Sequence, residues 1–189
     1  MIFGRRELRI ETERLLLRDW REEDFDPFVR ATNTPGVMRW LGGVKDPEVL
    51  RDRLATHFTA WQEERGFTFW VLERKSDGAL IGFCGIKIAD DPGSPVCGLH
   101  EVGWRLREEA WGQGYAKEAA IASLDFAFDR LGAEQVVALT VIGNEPSWGL
   151  MERLGMTRRP ELDYEGPDWA ETPVIVYMIG REEWKARRC

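Results

Sequence analysis

Trp111-Gly112-Gln113-Gly114-Tyr115-Ala116 is the stretch on which the reading of this chain turns. It lies between a strand-like run, Leu99 to Arg107, and a helix-like run, Gly114 to Leu131. A glycine-rich turn that feeds a helix aims several backbone N–H groups one way. The helix N-terminus adds partial positive charge, so a phosphate or pyrophosphate can be held with no basic side chain. Gly112 and Gly114 let the backbone approach such a ligand closely. Taken alone, the turn is equally well a tight strand-to-helix connection with no ligand. G-x-G-x-x-G is not completed, which removes the dinucleotide-binding reading, and no Gly-Lys-Ser/Thr follows, which removes the P-loop.

Working outward, the helix after the turn carries Ala116, Ala119, Ala120, Ser123 and Ala127 toward one side, small enough to lie close against a sheet. Glu118, Asp125 and Asp129 fall opposite and read as an exposed stripe. Val136 to Ile142 then reads as a strand and Glu145 to Leu154 as a helix closed by Gly155. Val174 to Ile179 is a last apolar strand, before an amphipathic tail from Arg181 to Arg188. Upstream, Arg9 to Asp19 alternates as one first strand, and Arg21 to Asn33 places Phe25, Phe28 and Val29 on a helical face that Pro35-Gly36 breaks. Asp46 with Pro47 opens a helix to about Arg65, with Leu50, Leu54, Phe58 and Trp61 at helical spacing. Phe67 to Lys75 and Ala79 to Ala89 are strands joined by the turn Ser76-Asp77-Gly78, and Asp90 to Pro95 is a surface loop. Strands and helices in this mixed order predict an α+β fold, a mostly antiparallel mixed sheet of about seven strands flanked by helices.

At 189 residues with no linker, the expectation is one domain over residues 1–189. A charged fraction of 31% beside 43% apolar residues is a globular balance, and the short apolar runs leave nothing to span a membrane. Met1 to Arg18 lacks an apolar signal segment. Cys84, Cys97 and Cys189 form no CxxC pair, which suits a cytoplasmic protein. A net charge of −7 argues against nucleic acid as partner. Most of the nine tryptophans are expected in the core, a few in a substrate cleft.

Glu101-Val102-Gly103-Trp104-Arg105-Leu106, the 111–116 turn and Lys117-Glu118-Ala119 together resemble the GNAT family of N-acetyltransferases. In that family's Q/R-x-x-G-x-G/A signature Trp111 replaces the usual Gln or Arg, while Gly114 and Ala116 stand in place. The Trp-Gly-x-Gly-Tyr-Ala form resembles the RimJ/RimL-type branch, which acetylates ribosomal protein N-termini. Three more runs resemble the same branch: Glu11 to Arg18, Ile81 to Ile86, and Asn144-Glu145-Pro146-Ser147 leading into Leu154-Gly155-Met156. The resemblance spans nearly the whole chain. It implies a GNAT-like fold and acetyl-CoA as co-substrate, with no metal. The pantetheine arm would pair with the backbone of Trp104, Arg105 and Leu106. The pyrophosphate would sit on the amides of Gly112, Gln113, Gly114, Tyr115 and Ala116, and Asn144 would bind the cofactor as well. Acetyl-CoA and an amine acceptor are thus the implied partners, with no nucleic acid and no membrane, and a homodimer allowed for.

Amine attack on a thioester needs a base, because the amine arrives mostly protonated. Glu101 is the candidate. A lone Glu on a strand is ordinarily a surface charge, but the family places this position near the acetyl group. Ser147 is the candidate donor to the departing sulfur; four residues on, where other branches carry Tyr, stands Met151. A first-turn Ser satisfied locally is the ordinary alternative. His57 and His100 read as packed or surface histidines. The acceptor amine stays open, whether a protein N-terminal α-amine or a small-molecule amine. It should be met by the first helices and the loop Pro160 to Pro173, where Asp163, Glu165, Asp168 and Glu171 could face a cation or simply solvent. The rival reading is a non-catalytic acyl-CoA-binding sensor domain.

Overall fold

The computed structural model describes residues 7–167, 170 and 172–188; Met1 to Arg6, Asp168, Trp169, Glu171 and Cys189 lie outside them. Eight strands form one sheet: β1 (Arg9–Glu11), β2 (Leu15–Arg18), β3 (Phe69–Arg74), β4 (Ala79–Ile88), β5 (His100–Leu106), β6 (Gln135–Val141), β7 (Thr157–Arg158) and β8 (Val174–Gly180). Their order is β1-β2-β3-β4-β5-β6-β8-β7, antiparallel throughout except for the β5–β6 pair. The helices are α1 (Phe25–Thr32), α2 (Pro35–Met38), α3 (Pro47–Arg65), α4 (Tyr115–Asp129), α5 (Glu145–Arg153) and α6 (Arg181–Arg188). Among the described residues no helix is long and apolar enough to cross a membrane.

The expected single strand Arg9 to Asp19 is two strands folded back on each other, Ile10 opposite Leu17. The turn between them is made by a residue a hundred positions away. Glu118 accepts hydrogen bonds from the Thr12 hydroxyl (2.6 Å) and the Arg14 amide (2.8 Å), and its second oxygen holds the Arg14 guanidinium at 2.7 Å. Glu118 is therefore half-buried instead of belonging to an exposed stripe. Asp125 leaves that stripe too, accepting from Trp184 Nε1 (2.8 Å), and only Asp129 is exposed. The short β7 and this folded first strand turn the six strands named individually from the sequence into eight, one more than the expected seven or so.

The helix expected from Arg21 begins at Phe25, after a 3-10 turn over Glu22–Asp24. Asp24 receives the Arg21 amide and two bonds from the buried Arg18 guanidinium, at 2.7 and 2.9 Å. Pro35-Gly36 opens a short helix instead of merely breaking one. Thr34 caps it, accepting from the Val37 amide, and Pro35 takes the position where a missing N–H costs nothing. Asp46 and Pro47 open α3 as expected, and it ends at Arg65 against a left-handed Gly66.

The two faces of the sheet are covered differently. Against one, α4 buries Ala119, Ala120, Ser123 and Ala127 beside Leu15, Leu17, Trp70 and Ile86. Against the other, α1 and α3 set Phe25, Phe28, Val29, Leu50 and Phe58 on Trp20, Phe69, Val71 and Phe83. The rings pack edge-on and stacked, with Phe69 and Phe83 stacked at 5.0 Å and Trp20 and Phe25 at 4.9 Å.

Candidate active site

β5 pairs with β4 along its whole length, from Ile88 opposite His100 to Gly82 opposite Leu106. With β6 it pairs only at His100–Val136 and Glu101–Val137. Past that point β6 follows β8 to Val141, and the two parallel strands part. A fork in a sheet exposes a row of backbone donors and acceptors that an extended ligand can pair with, as an added strand would. The fork opens into a cleft of about 1380 Å³, lined on one side by Trp104, Arg105 and Leu106 and on the other by Leu139, Thr140 and Val141. That exceeds the roughly 300–1,000 Å³ of a site for one drug-sized ligand, so a long ligand and a second reactant fit together.

The 111–116 turn stands at the mouth of the cleft. Gly112 (φ 70°) and Gly114 (φ 81°) are left-handed, a conformation that strains any residue bearing a Cβ. Gly114 is the N-cap of α4 and brings no side-chain acceptor, so the first amides of the helix are left for a ligand. Behind the turn lies Arg14, whose guanidinium donates to the Gln113 carbonyl (2.9 Å) and packs over the Tyr115 ring at 4.5 Å. This brace comes from the Thr12–Arg14 turn that Glu118 holds, and no local pattern in the sequence announces it. Gly112, Gly114, Tyr115 and Ala116 line the cleft. The Gln113 side chain turns back to the Glu109 carbonyl at 2.6 Å.

Glu101 lies at the crotch of the fork, only 9% exposed. Burial pushes its carboxyl up to about 7, against the opposing pull of Lys87. Lys87 is its cross-strand neighbour on β4, and Nζ stands 3.3 Å from Oε2 as an ion pair while donating its shorter bond, 2.6 Å, to Asp90. Oε2 has no hydrogen-bond partner among the described residues. A buried carboxyl poised near neutrality and open to a cleft is the arrangement a general base requires. Beyond it, Tyr164 donates to Asp91 at 2.6 Å, which brings one residue of the 160–173 loop to the cleft rim.

Ser147 and Asn144 enter from α5, across the fork from Glu101. The Asn144 side chain donates to Thr140 Oγ1 (3.0 Å), and the Asn144 backbone carbonyl accepts the Ser147 amide (3.0 Å). Met151, where a tyrosine was considered, is buried. The Cys84 thiol is buried against Ser123, and burial pushes it up to about 12, which silences it as a nucleophile. His100 packs its ring on Phe67, while His57 is exposed on α3 and faces the cleft beside Trp61. The tryptophans do not fall mostly in the core as expected: Trp20, Trp70 and Trp184 are core, whereas Trp40, Trp61, Trp104 and Trp111 line the cleft, because the cleft itself is walled by large rings.

Residues 14–157 match the model of the acetyltransferase (GNAT) domain. The chain is 27% identical over 176 residues to the Bacillus licheniformis protein named "uncharacterized N-acetyltransferase p20", covering 92% of this chain and 96% of that one. It is 32% identical over 125 residues to the Aspergillus fumigatus FsC-acetyl coenzyme A-N(2)-transacetylase, covering 63% of this chain and 52% of that one. Among solved structures it is similar to the acetyltransferase from Agrobacterium tumefaciens, at 28% identity and a TM-score of 0.74, covering 93% and 99% of the two chains.

Proposed function

This chain belongs to the GNAT acetyltransferase family, and from that premise we propose that it passes the acetyl group of acetyl-CoA directly to a primary amine in a ternary complex. The observation that carries the reading is the buried, half-paired carboxyl of Glu101 at the crotch of the β5–β6 fork. Acetyl-CoA supplies the thioester. The free edge of Trp104, Arg105 and Leu106 pairs with its pantetheine arm, the amides of Gly112 to Ala116 take the pyrophosphate, and Asn144 adds a polar contact. Glu101 accepts the amine proton as the new N–C bond forms at the acetyl carbon. The C–S bond breaks, Ser147 gives its proton to the departing thiolate, and the proton that Glu101 took from the amine returns through solvent to Ser147, restoring both residues. The free thiols Cys84 and Cys97 fit a reducing cytoplasm. The Trp111 form of the signature favours the RimJ/RimL-type branch, and with it a peptide α-amine as the acceptor.

Release of free CoA over a panel of amines and N-terminal peptides tests the reading. Glu101→Gln should lower kcat about 10²- to 10⁴-fold at neutral pH, with partial rescue at high pH where the amine arrives deprotonated. Ser147→Ala should cost roughly tenfold. A wild-type protein that binds acetyl-CoA and acetylates nothing, or a Glu101→Gln protein with unchanged kcat from pH 6 to 9, defeats it.

A further inference from the structure

Two arginines stand on the aromatic face of the sheet, Arg18 buried and Arg105 half-buried, and they are treated in opposite ways. Arg18 is saturated, with Asp24 at 2.7 and 2.9 Å and Glu73 at 3.0 Å. Arg105 has Nε and Nη1 buried without a hydrogen-bond partner, and no carboxylate pairs with it among the described residues. Its guanidinium lies over the Phe83 ring at 5.4 Å, and its charged neighbour is another cation, Arg53 of α3. Burying a cation without an anion is unfavourable, and a second cation beside it adds to that cost. Burial and Arg53 together draw the Arg105 guanidinium down to about 10. Such a group is stabilised when a ligand brings the missing negative charge.

The strand says where that charge belongs. Side chains alternate along β5, so Glu101, Gly103 and Arg105 share the face toward α1 and α3, away from α4 and the pyrophosphate turn. A Cβ on Gly103 would stand 2.7 Å from the Phe69 ring, so that ring covers the strand between the acid and the guanidinium. The trough thus runs from a base, over an apolar floor, to an unpaired cation.

We propose that Arg105 is a specificity-determining residue that binds a carboxylate on the acceptor, so that the preferred acceptor carries its amine and an anionic group at opposite ends. Residues four apart on a strand are roughly 13 Å apart, and two contacts of roughly 3 Å leave about 7 Å between amine and carboxylate. That span exceeds what an α-amino acid offers and suits a flexible ω-amino acid or a short acidic peptide.

The inference rests on the acetyl-transfer reading for its kinetic arm only. Turnover of 6-aminohexanoate is compared with that of pentylamine, its decarboxylated counterpart, and with glycine, whose two ends lie too close. The expected result is a kcat/KM at least tenfold higher for 6-aminohexanoate than for either. Arg105→Gln should erase the advantage through KM, and Arg105→Lys should keep part of it. Equal turnover of 6-aminohexanoate and pentylamine overturns the anion site and leaves acetyl transfer standing. If no amine is acetylated, the transfer reading is what fails, and calorimetry with hexanoate alone decides the site. Binding that disappears in Arg105→Gln sustains it, while absent binding, or binding that survives in that variant, overturns it.

Discussion

On one face of the sheet α4 lies flat, its Ala119, Ala120, Ser123 and Ala127 fully buried against the strands. On the other, α1 and α3 are held off by Phe25, Phe28 and Phe58, and the space beyond those rings is the cleft. Small side chains let a helix approach and close; large rings act as props and leave a trough at their edge. Charge follows the same division. Against α4 the closed face buries Cys84 and Ser123, whereas the propped face carries Glu101, Lys87, Arg18 and Arg105. Close packing builds the support, and incomplete packing on the other side makes room for reactants and for groups whose charges are not fully answered.

The largest expected effect tests whether the propped face stores an unfavourable charge. Glu101 is held up at about 7 from an ordinary 4.5 by burial. The folded state therefore keeps a proton that the unfolded chain releases, and stability falls as pH rises from about 4.5 to about 7. Over that interval the wild type should lose about 3 kcal/mol that Glu101→Gln does not lose, since each unit is about 1.4 kcal/mol. Urea melts at pH 4.5 and pH 8 measure the difference. Parallel pH profiles for the two proteins would mean that the carboxyl is better answered in solution than its environment implies.

Next in size is the closed face. Ala120→Leu adds three carbons at a fully buried helix–sheet contact and should destabilise by about 1–3 kcal/mol, read as a lower urea midpoint at unchanged m. A loss below about 0.5 kcal/mol would show slack beneath α4 and dissolve the contrast between the faces. The smallest effect is at the mouth. Gly114→Val forces a branched residue into φ 81° and sets its Cβ 3.3 Å from Arg14 Nη2, misdirecting the amides of the turn. Acetyl-CoA affinity by calorimetry should weaken about tenfold, or about 1.4 kcal/mol. Unchanged affinity in a folded variant would detach the turn from cofactor binding.

Much of this was legible in the residues because it is local. Gly112 and Gly114 announce a turn whose backbone a ligand can approach closely, Ser76-Asp77-Gly78 a hairpin, Asp46-Pro47 a helix start, and the alanines of α4 a close approach. Each depends on backbone conformation or on spacing within one element. Glu101, Ser147 and Asn144 were picked out by position within a recognised pattern, and the fold brings all three to one cleft. Tertiary structure alone decided what surrounds them. Lys87 faces Glu101 through strand register, Glu118 closes a turn from across the molecule, and Arg105 has neighbours but, among the described residues, no counter-ion. Electrostatics and desolvation are pairwise through space, so whether a charge is answered depends on which distant segments fold against it. The chain order names the groups, and their partners are set only when the sheet forks and α3 lies across it.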